Sequence, residues 1–299
     1  MGFSSISEYA HADELGQVWV SGFRKAVPSA ATVTNAWVDM TYFGGSPPAN
    51  FYASAPLTAA VVESDKSIFT GGDVSPKTKH LKNILLMSAA ASATSTTNGR
   101  QEIIVCDYLM YYPFIDTDAI GEEQTLDNTV TIPRYASGQV VAVGQSASSA
   151  IGTFTFTYTN QDGVSGRVSQ VNRTYIIAGG GQVVGASSAG ASYNPFCYLQ
   201  AGDREVKSIE SVTFSGAGGG LMCLVIVKPL IKSIVSQECR TTTSGNLESY
   251  GSCTELASVI HQAGAPQIKD GAVIGMMASG YAGSLASSIL SGTLEVIWN

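Results

Sequence analysis

Strict alternation of apolar and hydroxyl side chains over residues 153–159 constrains this chain more than any other feature of its sequence. The segment reads Thr-Phe-Thr-Phe-Thr-Tyr-Thr, so three aromatic rings fall on one face and four threonines on the other. A period of two residues is that of a β-strand with one buried face. Residues 160–163 then have the composition of a turn, and 164–171 are predicted to return as the second strand of a hairpin.

Further strands are predicted where short apolar runs are bounded by glycine or proline. Residues 221–227 form an uninterrupted apolar run closed by Lys228 and Pro229, which is too short for a buried helix and predicts a central strand. The same reasoning predicts strands at 36–42, 102–112, 208–215 and 294–298. The final strand, with Val296 and Trp298, must pair with something or remain an exposed edge. The pattern favours an all-β fold of β-sandwich or jelly-roll domains.

One short helix is predicted at the N-terminus. Ser5 and Glu8 have the spacing of a capping box. Apolar residues then recur at three- and four-residue intervals, at Tyr9, Ala12, Leu15 and Trp19. Gly16 and Gly22 weaken the end of this helix, and Pro28 stops it.

The predicted strands divide the chain into three units. Residues 1–29 form an N-terminal helical arm, and 136–232 form a β-sandwich domain. Residues 30–135 together with 233–299 form a discontinuous β domain. The Ala/Ser/Thr-rich stretch 88–98 is predicted to be a surface loop.

The composition points to a surface that is covered by other protein. Charged residues make up 13% of the chain, against roughly 25% in ordinary soluble domains. Such a surface is hard to keep soluble alone, which favours self-association. The formal net charge of −7 disfavours a nucleic-acid partner, because phosphate backbones repel an acidic protein.

Cysteine usage and hydropathy indicate a reducing compartment and no membrane segment. The five cysteines include no C-x-x-C pair; they are Cys106, Cys197, Cys223, Cys239 and Cys253. A Cys239–Cys253 disulfide and free thiols both remain open. No basic segment precedes an apolar one at the N-terminus, so no secretory signal is predicted. The uncharged stretch 271–294 contains too many Gly and Ser residues to insert well into a bilayer.

No motif in the sequence predicts a catalytic residue, a cofactor site or a metal site. His11, His80 and His261 are far apart and lack ligand partners at metal-binding spacing. The glycine runs 179–181 and 216–220 lack the Lys-Ser/Thr of a phosphate loop, and 185–190 misses the spacing of a nucleophile elbow. A calcium loop at 116–127 is disfavoured by Ile120 at its fifth position. The sequon Asn172-Arg173-Thr174 has no meaning without a secretory route.

Clustered carboxylates leave one enzymatic alternative. Paired acids can hydrolyse glycosidic bonds, and aromatic residues stand among these acids as a sugar site would need. The candidates are Asp107, Asp116, Asp118, Glu122 and Glu123. The preferred interpretation is an aromatic core strand leading into a solvated acidic loop, and hence a protein that is not an enzyme.

Three segments together are similar in texture and order to those of a known class of proteins. They are 44–50 (Gly-Gly-Ser-Pro-Pro-Ala-Asn), 71–81 (Gly-Gly-Asp-Val-Ser-Pro-Lys-Thr-Lys-His-Leu) and 199–230, which begins Leu-Gln-Ala-Gly-Asp and ends Val-Lys-Pro-Leu. In these segments the chain resembles virion structural proteins of tailed bacteriophages, of the capsid-associated cement or decoration type. The resemblance covers most of the chain and brings no functional residue with it.

The resemblance implies a non-enzymatic component made in the host cytoplasm and placed on the outer capsid surface. Its partners would be the major capsid protein and further copies of itself, as a homotrimer in the first instance or else a dimer. The acidic balance agrees with a position away from packaged DNA. A tail, neck or fibre component of the virion is the alternative, although the sequence lacks the repeats usual in fibres.

Overall fold

The computed structural model describes residues 3–27, 36–90, 101–148, 150–174, 179–183, 194–235, 253–258, 266–280 and 288–299. Within them lie one α-helix and seventeen strands, which confirms the all-β class with a short N-terminal helix. The elements in chain order are α1 (Ile6–Glu14), β1 (Val18–Ala26), β2 (Trp37–Asp39), β3 (Gly45–Ser46), β4 (Ala60–Val61), β5 (Lys79–Ala90), β6 (Gln101–Asp116), β7 (Glu123–Thr125), β8 (Gln139–Gly144), β9 (Thr153–Asn160), β10 (Arg167–Val168), β11 (Asn172–Arg173), β12 (Val206–Gly216), β13 (Leu221–Val235), β14 (Cys253–Ser258), β15 (Gln267–Ile268), β16 (Ile274–Gly280) and β17 (Ser288–Trp298). Single 3-10 turns follow β2 and β4, at Met40–Tyr42 and Ser64–Lys66.

The strands form three sheets. The outer sheet has the order β14-β5-β17-β1-β3, with β15 also paired to β5. The central sheet has the order β2-β16-β6-β13-β8, with β4 also paired to β6. The threonine sheet, named for the exposed face of β9, has the order β10-β9-β12-β7, with β11 also paired to β9. The long ladders, such as β6 with β13 and β17 with β5, are antiparallel.

Two long strands of the central sheet, β6 and β13, are shared by all three apolar cores. The first core lies between the outer and central sheets and includes Val105 and Ile231. The second lies between the central and threonine sheets and includes Leu109 and Leu224. Because side chains alternate across a strand, Cys106 and its neighbours of the same orientation build a third core on the opposite face. The fold is therefore a stack of sheets organised around one strand pair.

The predicted hairpin is present, with a return that is shorter than expected. Side chains of β9 alternate between buried and half-buried along its whole length. The Asn160 side chain closes the turn by accepting hydrogen bonds from the backbone N–H groups of Asp162 and Val164, at 3.0 and 2.9 Å. The return pairs with β9 only at β10 and β11, which are two residues each.

The N-terminal helix begins as predicted and ends early. The Ser5 hydroxyl accepts a hydrogen bond from the Glu8 N–H at 3.2 Å, which is the expected N-cap. The helix stops at Glu14 because Gly16 takes a left-handed conformation with φ +69°. Trp19 therefore lies in β1 and not on the helix, although its spacing also fits a helical face. The predicted helical arm spans residues 1–29. After Gly16, most of it forms β1, which lies between β17 and β3 in the outer sheet.

Two other strands run past their predicted ends. β13 continues beyond Pro229 to Val235, and Pro229 is tolerated because its register with β6 shifts at that point. β5 extends to Ala90, into the stretch 88–98 that was predicted to be a loop. The glycine-rich turn 216–220 joins β12 of the threonine sheet to β13 of the central sheet, so it crosses between layers.

The C-terminal strand finds both of its partners within the chain. β17 lies between β5 and β1, and Val296 is completely buried. It is consequently not an edge that an assembly partner must cover. The division of the chain into one β domain of residues 30–135 plus 233–299 and a second of residues 136–232 stays a prediction. Residues 221–232 of β13 belong to the second of these units, and β13 pairs along its length with β6, which belongs to the first.

Candidate functional site

Asp107, the first of the candidate carboxylates, lies at the boundary between the first and second cores. It is completely buried on β6, between Val105 of the first core and Leu109 of the second. Arg134 donates to both of its oxygens, from Nε at 2.9 Å and from Nη2 at 2.7 Å. Burial raises the pKa of Asp107, and the Arg134 guanidinium opposes that rise. Asp107 also accepts a hydrogen bond from the Val273 N–H at 2.9 Å, so its carboxylate is fixed by a buried ion pair and a backbone contact.

The other four candidate carboxylates lie far from Asp107. Asp116 ends β6, nine residues along the strand, which places it about 30 Å from Asp107 at roughly 3.3 Å per residue. Glycosidases need their two carboxyl groups within about 10 Å. Asp116 accepts a hydrogen bond from the Asp118 N–H at 2.8 Å, and Asp118 accepts one from the Gly219 N–H at 2.9 Å. Glu122 and Glu123 are exposed beside this loop. The structure therefore separates Asp107 from the other four candidate carboxylates.

Histidines and other potential metal ligands are also dispersed. His11 is exposed on α1, 3.8 Å from Glu14, and His80 is buried against the Phe3 ring. His261 lies outside the described residues. Across the part of the chain that the structure describes, no three His, Cys, Asp or Glu residues could hold a metal ion together. No helix among those residues is long and apolar enough to cross a bilayer.

Three of the cysteines are core residues. Cys106, Cys197 and Cys223 are buried free thiols, and burial raises the pKa of each. The Cys239–Cys253 pairing lies outside the described side chains. The elbow-like segment 185–190 is likewise outside the described residues.

Asn172 of the sequon is a structural residue. Its side chain is completely buried and accepts a hydrogen bond from the Tyr198 N–H at 2.8 Å. A glycan could not reach this amide without displacing the 194–199 segment, which packs over it.

A buried carboxylate that sequence analysis did not single out is Asp39, at the end of β2. It accepts hydrogen bonds from the hydroxyls of Tyr52, Tyr108 and Thr41, the last two at 2.8 and 2.7 Å. Burial raises its pKa, and the hydroxyl donors oppose that rise. The nearby Lys25 ammonium donates instead to the carbonyls of Phe43 and Pro48, at 3.1 and 3.2 Å. This cluster ties the 39–52 segment to the third core and is closed to solvent.

The surface carries many large apolar side chains. Trp19 and Phe69 are 43% and 56% exposed and stack edge-to-face with ring centroids 5.4 Å apart. Val164, Val168 and Val171 are 51%, 50% and 60% exposed beside β10 and β11. These three residues, here called the valine edge, lie along an outer margin of the threonine sheet. The edge is open at β10, whereas at Gln170 the backbone N–H donates to the Tyr198 carbonyl at 3.2 Å. Exposed apolar groups beside an open sheet edge are typical of protein–protein contact sites.

A polar cleft opens where β8 forms the edge of the central sheet. Its volume is about 420 Å³, within the range of roughly 300–1,000 Å³ found for ligand sites. The lining residues with polar or aromatic side chains, here called the β8 cleft, are Gln139, Gln170, Asn194, Phe196, Tyr198, Gln200, Asp203 and Arg204. They come from β8, from the end of the hairpin return and from the 194–204 segment, so no local motif could have revealed them.

Comparisons with known proteins identify no relative. No protein-family model matches the chain, and no curated protein or solved structure matches it either.

Proposed function

We propose that this chain is a structural component of a tailed-bacteriophage virion, a capsid cement or decoration protein that self-associates and binds the major capsid protein. The proposal places it on the outer surface of the head. Its support from the sequence is the resemblance in segments 44–50, 71–81 and 199–230, together with the low charge content.

The observation that carries self-association is the exposed apolar surface. Fourteen large hydrophobic side chains are exposed within the described residues, including the three of the valine edge. A monomer that is poor in charge gains little solubility from the remainder of its surface. Burying such groups against a second copy removes apolar area from water without charge pairs. The β17 strand plays no part in this argument, since its partners are internal.

The valine edge is the surface we assign to contacts between copies. β10 ends the order of the threonine sheet, so its outer backbone groups have no strand partner among the described residues. A trimer, or failing that a dimer, could pair these edges and bury Val168 and Val171 together. Because the contact is apolar, it should persist at high salt, which screens charges but leaves apolar burial intact.

Light-scattering mass in dilute and concentrated salt tests self-association. The full chain should have about three times the chain mass of 31.1 kDa in both buffers. The double variant Val168→Lys/Val171→Lys should be monomeric, because charge on the edge opposes pairing. The matched control Ile6→Lys/Val20→Lys changes two apolar residues exposed elsewhere and should keep the wild-type mass. A wild-type monomer in every buffer that also fails to bind empty capsids contradicts the proposal.

Reconstruction of the intact particle tests the position in the virion. Density for this chain on the outside of the head shell is the expected result. Density in the tail, neck or fibre would favour the alternative position, and absence of the chain from purified particles would overturn both.

A further inference from the structure

Lys79, the first residue of β5, keeps its ammonium group inside the protein. The side chain is 1% exposed, and burial lowers the pKa of the ammonium, although the Asp270 carboxyl opposes that change. Nζ donates hydrogen bonds to the Gly72 carbonyl at 2.6 Å and to the Thr70 hydroxyl at 3.3 Å. The third N–H direction of this tetrahedral nitrogen is left for Asp270, whose Oδ1 atom is 3.6 Å away. Loss of that third proton leaves the nitrogen lone pair directed at a carboxyl group.

Asp270 is held beside this amine from two sides. β15 pairs with β5 so that Ile268 faces Lys79 in the ladder, and Asp270 follows two residues later. From the other side, the Val74 N–H donates to Asp270 Oδ1 at 3.4 Å. A backbone N–H in this position stabilises the negative charge that develops on a carboxyl oxygen when a nucleophile adds to its carbon atom.

A second carboxyl group, that of Asp73, lies against Asp270. The Ser75 N–H donates to Asp73 Oδ1 at 2.7 Å and lowers the pKa of Asp73, and a hydrogen bond from Asp270 lowers it further. In this pair Asp270 is the proton donor and Asp73 is the carboxylate. An amine adds to a protonated carboxyl group far more readily than to a carboxylate, and a neighbouring carboxylate can accept the protons that the amine must lose.

From this geometry we infer that Lys79 and Asp270 form an amide cross-link within the chain. Nζ adds to Cγ of the protonated Asp270 carboxyl, a C–N bond forms, and the C–O bond to the Asp270 hydroxyl breaks. Nζ loses two protons: one joins the departing hydroxyl, which leaves as water, and the other is taken by Asp73 and passes to solvent. The reaction is a condensation, so it needs no oxidant, reductant or further reactant. The Asp270 side chain is 37% exposed, which lets the water leave.

The fold supplies the driving force that separate molecules lack. Amide formation between a free amine and a free acid is unfavourable in water, but groups held in reacting geometry gain an effective molarity of about 10⁵–10⁸ M. Lys79 cannot move away from Asp270 without breaking its hydrogen bonds to Gly72 and Thr70. The cross-link would join the start of β5 to the turn after β15, two positions far apart in the sequence, and would restrict the unfolded chain accordingly.

The inference does not depend on the proposed place in a virion, because the reaction needs only the folded chain. Purified full-length protein is denatured and its intact mass is measured by mass spectrometry. The mass should be lower than that of the sequence by one water molecule. Tandem mass spectrometry of a proteolytic digest should show the peptide that contains Lys79 joined to the peptide that contains Asp270.

Two variants and one control identify the reacting groups. Lys79→Arg keeps the positive charge and removes the reactive amine, so its mass should equal that of its sequence. Asp73→Asn removes the proton acceptor and should slow cross-linking by about 100-fold or more, leaving freshly purified protein at full mass. The control Lys82→Arg changes a lysine whose Nζ lies 2.7 Å from Asp13, closer than Lys79 lies to Asp270. It should lose water as the wild type does.

Two results would overturn the inference. The first is a wild-type chain that is folded by circular dichroism, has the full mass of its sequence and yields no joined peptides. The second is a loss of water that persists in Lys79→Arg, which would place the new bond elsewhere, for example in a cyclic imide at Asp270 and Gly271. If a variant does not fold, the digest of the wild type still decides between these outcomes. Neither result bears on self-association through the valine edge.

Discussion

Replacing Arg134 with alanine should cost about 3–5 kcal/mol of folding free energy, because it leaves the Asp107 carboxylate buried without its cation. Asp107 would lose two charged hydrogen bonds, at 2.9 and 2.7 Å, and would keep the one from the Val273 N–H at 2.9 Å. Total stabilities are about 5–15 kcal/mol, so the variant should be close to unfolding. Urea denaturation followed by tryptophan fluorescence measures the loss, since Trp37 is buried in the third core.

The pH dependence of that loss separates a buried charge from a simple packing defect. Without Arg134, only weaker hydrogen bonds such as that from the Val273 N–H oppose burial, so the folded-state pKa of Asp107 rises further above its unfolded value of about 3.9. The deficit should then be largest near neutral pH, should shrink as pH falls, and should disappear below the unfolded pKa of about 3.9, where the carboxyl is protonated in both states. The double variant Asp107→Leu/Arg134→Met should lose only about 1–3 kcal/mol, for the unpaired Val273 N–H. A deficit that is constant from neutral to acid pH, or a double variant as unstable as Arg134→Ala, would refute the reasoning.

Three further predictions concern the sheets and one wall of the cleft. Deleting residues 294–299 should abolish folding, seen as loss of the β-sheet circular dichroism signal, because the completely buried Val296 is removed from between β5 and β1. Gly292→Ala should cost about 2–3 kcal/mol in urea denaturation, since its Cβ would overlap the backbone oxygen of Leu85 on β5. Gly22→Ala on the paired strand β1, where the nearest atom would lie 3.9 Å away, should be neutral within about 0.5 kcal/mol. Equal losses for the two variants would contradict this. The Arg167 hydrogen bond, with Tyr158 and Asn160, lowers the pKa of Asp203 to about 2. This stabilisation is complete above the unfolded pKa of about 3.9 and is lost as pH falls through about 2, so the melting temperature of Asp203→Asn should converge on that of the wild type in this acid range and not at neutral pH.

The strands were predictable from sequence wherever one face of the strand is buried and the other is exposed to solvent. β9 is the clearest case, because its burial pattern repeats the period of its sequence. The end of α1 was missed because Trp19 satisfies a helical spacing, and only the Gly16 conformation decides that it belongs to a strand. The passage of β13 through Pro229 was missed because the register shift that tolerates it is a property of the strand pair.

The candidate sites show where local pattern carries no information. Asp107 and Arg134 are 27 residues apart, and no spacing rule links them. Asp39 was not singled out because its hydroxyl partners are brought to it by the third core.

The pairing of β6 with β13 also means that, during synthesis, β6 leaves the ribosome well before its partner strand. Tyr112 of β6 is synthesised 112 residues before Leu224, which faces it in the register. At roughly 5–20 residues per second, β6 waits about 5–20 s for that partner. During this interval β6, which is rich in aromatic and β-branched residues, lacks its β13 pairing partner. The unpaired edge is open to misassociation with neighbouring chains. A ribosome that slows after β6 should therefore lower the yield of native protein, whereas one that slows after β13 should not.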